Sequence, residues 1–390
     1  MNKKKFKKDN KDFMVLSAIC ILFVVDAHSG GGFKILNNLF PYDSFFMPAF
    51  VFISGYFYKF PSSFVGCITF FRRKIKTLLM PFYKYNFGIT LLWFIPVLLI
   101  NKSLLGTNSL SKDSFTSFHS IFDLLYNKLI VVPFSYGTPF DLISPAWFLI
   151  SLFGTIIGYT VIKAVLNLIT LKNNAVLLIF LSSLGLMAVW LSKLGYSNKV
   201  ELLLILKIMF FLPFFYLGDF ISSLDREGRL SESNYKKMAI ISIIVNFILL
   251  FFYSPREISF SSLAFMQSFK SIPMFIPFVT AITGIFFYLY VSKLIAKIAG
   301  ENYWLNLLSE NTLTILCLHM FCFNIVNLIF SILSDRLSIL RGFNKELFFS
   351  SAWYIYTPSV GFCFLYFIVG VFVPLLYVLL KENLSIALKN

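Results

Sequence analysis

FMVLSAICILFVVDAHSGGG, residues 13–32, decides the fold. A near-unbroken apolar run from Phe13 to Val25 ends in Asp26, His28 and three glycines, Gly30 to Gly32. About 20 such residues, rising 1.5 Å each, cross the hydrocarbon core of a bilayer as one helix. Titratable groups inside such a run are costly unless they face a bundle interior or a wet cavity. The stretch therefore reads as a membrane span with chemistry placed toward its outer half.

The rest of the chain repeats the apolar pattern. Of 390 residues, 58% are apolar and 13% charged, with 50 phenylalanines and 19 tyrosines. A soluble domain of this size cannot hide so much aromatic surface, and the apolar stretches are continuous rather than alternating, which argues against a β-barrel. The expected fold is an all-α polytopic membrane protein of about ten transmembrane helices in one bundle. The spans expected are 13–32, 42–58, 78–100, 146–169, 175–192, 201–221, 238–254, 273–294, 310–332 and 356–380. The second is short and holds Pro48, and 120–134 reads as an interfacial helix because Asp123 and Lys128 interrupt it.

The formal charge of +16 is distributed in clusters between apolar runs, as positive-inside topology requires, so nucleic-acid binding is not expected. The tail MNKKKFKKDNK, the Arg72–Lys76 cluster and the link carrying Arg226, Arg229, Lys236 and Lys237 all fall on one side if the N-terminus is cytoplasmic. An even span count returns the C-terminus there too. Residues 1–12 and 382–390 are then short cytoplasmic tails around one membrane domain, 13–381, with the first span retained as an anchor. Cys20, Cys67, Cys317, Cys322 and Cys363 form no CxxC pair, so no disulfide framework or metal site is indicated.

Polar residues inside the spans are the candidate functional groups. His28 lies about 22 Å along the first span from its cytoplasmic start. A neutral imidazole is cheaper to bury than a fixed charge, and it suits proton transfer near neutral pH. A structural histidine bonding between helices remains the competing reading. Asp26, two residues away, points to another side of the helix and is a poor orienter of His28. His319 in LTILCLHMF and Lys207 in LLLILKIMFFLPFF are the other intramembrane titratable groups, while His119 reads as a surface residue. Arg72, Arg73 and Lys76 are either plain inside-positive anchors or a seat for a phosphorylated ligand, since arginine binds phosphate bidentately. Trp147 opens the fourth span at the outer interface, where tryptophans are common.

Several phrases resemble, in order, those of the acyltransferase-3 family of integral membrane acyltransferases. SAICILFVVDAHS (17–29) resembles its first span, which ends in a key histidine. MPAFVFISGYFYK (47–59) is similar to its second-span phrase leading to Ser-Gly, and FRRKIKTLLMPFY (71–83) to its basic stretch. SPAWFLISLF (144–153), KIMFFLPFFYLGDF (207–220) and LLSENTLTILCLHMF (307–321) resemble three further family phrases. One departure is Ser17: the family commonly has Arg or Lys there, eleven positions before the histidine, and Lys207 is the buried cation expected to fill that role.

The resemblance implies transfer of a short acyl group, usually acetyl, from cytoplasmic acetyl-CoA to a hydroxyl of an extracytoplasmic acceptor. The acceptor implied is a cell-surface polysaccharide, such as a capsule or exopolysaccharide, or its lipid-linked precursor. His28 is then the catalytic base or the acyl-accepting nucleophile. Lys207, His319, Asn311 and Ser54 are candidate partners that orient it or stabilise the oxyanion. Arg72, Arg73 and Lys76 would hold the phosphates of acetyl-CoA, while Asp26 and Trp147 would face the acceptor. The expected setting is the plasma membrane, with lipids as further partners, no metal, and self-association left open. The alternative reading is a transporter or flippase for a lipid-linked or exported sugar.

Overall fold

A computed structural model of the chain describes residues 11–61, 63–100, 122, 123, 126, 141–168, 174–258, 272–300 and 302–387. His119 and most of the expected interfacial helix 120–134 lie outside the described residues.

The described secondary structure is helical. In chain order it comprises α1 (Lys11–His28), α2 (Lys34–Leu39), α3 (Phe46–Tyr56), α4 (Phe64–Lys74), a π turn (Ile75–Leu79) and α5 (Met80–Ile100). A 3₁₀ turn (Asp141–Ala146) then leads into α6 (Trp147–Leu168), α7 (Asn174–Lys193), α8 (Val200–Arg226) and α9 (Glu232–Phe252). After α10 (Pro255–Ile258) come α11 (Ile276–Ala299), α12 (Tyr303–Glu310), α13 (Thr312–Leu333), α14 (Lys345–Ser350) and α15 (Val360–Ala387). Among the described residues, seven helices are long and apolar enough to cross a membrane: α6, α7, α8, α9, α11, α13 and α15. The expected first, second and third spans fall on α1, α3 and α5. α3 has only 11 residues, about 16 Å of helix, too short to cross alone. Pro48 sits in its first turn, where a missing backbone N–H costs nothing.

Contacts divide the chain into two compact units. The first comprises 1–23, 34–71 and 151–312. Its tightest crossing joins α3 to α8 through two glycines. A Cβ on Gly55 would lie 2.0 Å from the Phe215 carbonyl oxygen, and one on Gly218 would lie 2.1 Å from the Phe52 carbonyl oxygen. Lipid chains are as apolar as leucine, so helices in a bilayer associate through such close backbone packing rather than through water exclusion. At the crossing the Phe215 ring meets Tyr58 at 5.3 Å and Tyr159 at 4.8 Å between centroids, and aromatic packing continues at the start of α3. Phe23 stacks on Tyr42 at 4.6 Å between ring centroids, and Phe45 stacks on Tyr288 at 4.8 Å.

Several charges in this unit are paired or hydrogen-bonded, as a low-dielectric setting favours. Asp219 accepts from the Tyr159 hydroxyl at 2.6 Å and from Lys163 Nζ at 2.5 Å. Asp225 accepts from the hydroxyls of Tyr56, at 2.7 Å, and Tyr235, at 2.6 Å. Lys293 pairs with Asp12 at 2.7 Å, tying α11 to the start of α1.

The second unit comprises 24–33, 72–150 and 313–390. It contains the C-terminal end of α1, the π turn and α5, the start of α6, and the α13–α15 pair with the segment between them. Gly370 of α15 admits Phe323 of α13, whose ring would stand 2.5 Å from an added Cβ. Tyr85 of α5 meets Thr314 of α13, hydroxyl to hydroxyl, at 3.1 Å. The α13–α15 segment has its own apolar nucleus of Leu340, Phe343, Phe348 and Tyr356, with Phe330 and Phe362 packed against it. That nucleus turns a 26-residue connection, 334–359, into a folded cap rather than a loose strand. α15 continues past Lys381 to Ala387, so the helix runs through most of the expected C-terminal tail.

Candidate active site

Two histidines define the site, both in the second unit. His28 is the last residue of α1, and His319 lies in the second turn of α13, completely buried. His28 Nδ1 stands 2.9 Å from His319 Nε2, and the rings stack at 5.1 Å with 15° between their planes. His319 Nδ1 stands 2.8 Å from the carbonyl oxygen of Ile315, one helical turn earlier.

This geometry fixes the tautomers of a neutral pair. A carbonyl only accepts, so His319 Nδ1 carries the proton and donates to Ile315. The Nε2 of His319 is then a bare acceptor, and His28 Nδ1 must donate to it. The lone pair left over is on His28 Nε2. The chain of bonds has the logic of an orienter–base dyad, with a backbone carbonyl in third place.

The turn after His28 is built to present that ring. Gly30 and Gly31 have φ of 97° and 74°, a left-handed region that glycine enters without strain. The Gly31 amide returns to the Asp26 carbonyl at 3.0 Å. The carboxylate of Asp26, itself buried, accepts from the Phe33 amide at 3.2 and 3.3 Å. Asp26 thus closes the turn Ser29–Phe33 and does not hold His28, in keeping with its position on a different side of α1.

The far wall of the site comes from the cap. Trp353 stands edge-on to His28, with ring centroids 5.5 Å apart and 64° between planes. Its segment is strapped to α13 by asparagines one and two turns beyond His319. Asn324 Nδ2 donates to the Ala352 carbonyl at 2.9 Å, and Asn327 Nδ2 donates to the Tyr354 carbonyl at 2.7 Å. The Tyr366 hydroxyl of α15 donates to Asn327 Oδ1. Thr357 packs on Gly30, where an added Cβ would meet its Cγ2 at 2.8 Å.

The other candidates divide between the units. Lys207 (1% exposed, on α8), Ser54 on α3 and Asn311 belong to the first. Asn311 ends α12, and its amide donates to the Leu307 carbonyl at 2.8 Å, a helix-terminating bond. Trp147 belongs to the second unit but is 3% exposed and packs edge-on to Phe148 at 5.9 Å, so its ring is not offered to a ligand. Arg72, Arg73 and Lys76 are exposed at the junction of α4 and the π turn. The wide turn begins at Ile75, so Lys76 falls off the i, i+3 line through Arg73 that a continuous α-helix would give. Lys74 joins the cluster: partial burial, and then the neighbouring Arg73 guanidinium, hold its ammonium below the ordinary lysine range.

Sequence reading missed Trp353, Asn324 and Asn327. Asn324 and Asn327 carried a signal, because two amides three residues apart in the apolar phrase LHMFCFNIVNL share a helix face with one another. Trp353 carried none against so aromatic a background.

A family model described as an acyltransferase domain matches residues 11–379. No curated protein and no solved structure matches the chain. Nearly the whole described chain, from the first residue of α1 into the last turns of α15, lies within that match, and so do both histidines. The protein therefore belongs to the acyltransferase-3 family and is a multi-pass membrane acyltransferase.

Proposed function

We propose that the protein transfers an acetyl or other short acyl group from cytoplasmic acyl-CoA to a hydroxyl of an extracytoplasmic or cell-surface polysaccharide. The observation that carries this is the His28–His319 bond, which leaves His28 Nε2 as the free base. The acceptor hydroxyl gives its proton to His28 Nε2 as its oxygen attacks the thioester carbonyl. The new C–O bond forms, the C–S bond breaks, and the departing coenzyme A thiolate takes the proton back from the imidazolium. Through the cycle His28 Nδ1–H stays on His319, so the ring does not turn and the developing positive charge is shared with a polar partner.

In this reading both termini are cytoplasmic in the plasma membrane, which puts the end of α1 and the cap on the outer side. Arg72 and Arg73, with Lys74 and Lys76, take the coenzyme A phosphates from the inner side, where arginine's planar fork suits them.

The test is purified protein in lipid nanodiscs given radiolabelled acetyl-CoA, with and without an oligosaccharide acceptor, beside His28→Ala. Thioester turnover that depends on His28 is expected. Turnover equal in the two proteins, or none in either while sugar crosses vesicles containing the protein, would replace acyl transfer with transport.

A further inference from the structure

We infer that Trp353 is the acceptor platform, a specificity-determining residue whose exposed face stacks on a pyranose ring and sets its hydroxyl over His28 Nε2. The inference rests on the acyl-transfer reading above and names what that reading leaves open, the shape of the acceptor.

The argument starts from exposure. Trp353 is 48% exposed, beside Asp26 and His319, which are buried, and His28, which is partly buried. Trp147 of the same unit, by contrast, is buried. Trp353 spends its packing differently: its edge-on contact to His28 leaves much of the indole uncovered. An indole face is apolar and broad, complementary to the C–H face of a pyranose, and it loses little conformational freedom on binding. An acyclic polyol has no such face to offer.

The position of the ring is fixed rather than incidental. Its neighbours Ala352 and Tyr354 each have their carbonyl held by an asparagine of α13, the helix that carries His319. Its own amide donates to Ser351 Oγ at 3.2 Å. Thr357 of the same segment packs on Gly30, two residues after His28. The base, its orienter and the indole are thus set by one connected group of bonds. A binding residue placed this way holds its ligand at a constant distance from the reacting atom.

Two measurements test the platform. The first compares acetyl transfer to methyl β-D-glucopyranoside with transfer to sorbitol in wild type, Trp353→Phe and Trp353→Ala. Trp353→Ala should raise KM for the glucoside about tenfold, leave KM for sorbitol and for acetyl-CoA unchanged, and Trp353→Phe should recover most of the loss. Equal changes for both acceptors, or none, overturn the platform. The second needs no catalysis: glucoside-induced change in tryptophan fluorescence should be present in wild type and lost in Trp353→Phe. A fluorescence response that survives Trp353→Phe overturns the platform. A response that is lost in Trp353→Phe while wild type transfers no acetyl keeps it as a sugar site and removes only acyl transfer.

Discussion

His28 and His319 come from the last turn of α1 and the second turn of α13, 291 positions apart, and meet nitrogen to nitrogen at 2.9 Å. The contact makes His319 an acceptor for His28, so its replacements should sort by whether they can still accept. His319→Leu removes the partner and frees the His28 tautomer, and kcat should fall about 10²-fold or more. His319→Gln keeps an oxygen acceptor and should lie between the two. His28→Ala should lose the whole base contribution, about 10²–10⁴-fold. In the pH profile of wild type, the rate should fall toward acid, because protonated His28 has no lone pair at Nε2. In His319→Leu the acid limb should move. A profile that stays fixed while kcat drops would make His319 a packing residue.

Asp26 acts on the shape of the turn, so its variants should separate from those of the histidines. Asp26→Asn keeps one oxygen to accept the Phe33 amide and should leave folding near wild type. Asp26→Ala leaves that amide without its partner, at a cost of about 1–3 kcal/mol, and should lower thermal stability and activity together. Gly30→Ala should do the same through its backbone: φ of 97° is strained for alanine, and the new methyl would press on Thr357. Melting of the detergent-solubilised variants beside their specific activity checks both. An Asp26→Ala protein that is stable yet inactive would move Asp26 from the turn to the substrate.

His28 and His319 stand out in the sequence because burying them needs a reason, and the first span announces itself by length and hydropathy. Their pairing does not, because nothing in two distant apolar phrases fixes the rotation of one helix against another. Asp26 was legible as a buried carboxylate, but its bond to Phe33 depends on two positive-φ glycines bending the chain back. Ser54, Asn311 and Lys207 were grouped with His28 by family likeness and polarity alone. Asn311 ends a helix, with its amide donating to the Leu307 carbonyl. Trp147 and Trp353 show the limit most clearly, since composition cannot say which of two tryptophans the fold will bury and which it will leave open.

The cluster at the end of α4 should act on donor affinity alone. Arg72→Ala/Arg73→Ala should raise KM for acetyl-CoA about tenfold, with kcat and acceptor KM little changed. Exposed charges are screened with a Debye length of about 8 Å at physiological salt, so the wild-type KM should rise with ionic strength and the variant's should rise less. Dephospho-acetyl-CoA, which lacks the 3′-phosphate, should lose less on going from wild type to variant. Parallel salt dependence in the two proteins would reduce the cluster to topology.

The α3–α8 crossing carries the sharpest stability prediction, because what faces each glycine is backbone. Side chains give way by changing rotamer, whereas a carbonyl in the middle of a membrane helix is held by its own ladder. Gly55→Ala and Gly218→Ala would each put a methyl about 2 Å from such an oxygen, so the helices must separate. Separation takes apart the surrounding aromatic packing as well, and the cost should reach about 3 kcal/mol or more, at the upper end for overpacking. Gly88 on α5 is the control: an added Cβ meets nothing within 4 Å, and alanine there should be neutral or stabilise the helix by about 0.5–1 kcal/mol. Size-exclusion profiles and melting curves of the three variants in one detergent read the difference. If Gly55→Ala and Gly218→Ala elute and melt with Gly88→Ala, α3 and α8 do not approach as closely as their glycines allow, and the crossing does not anchor the first unit.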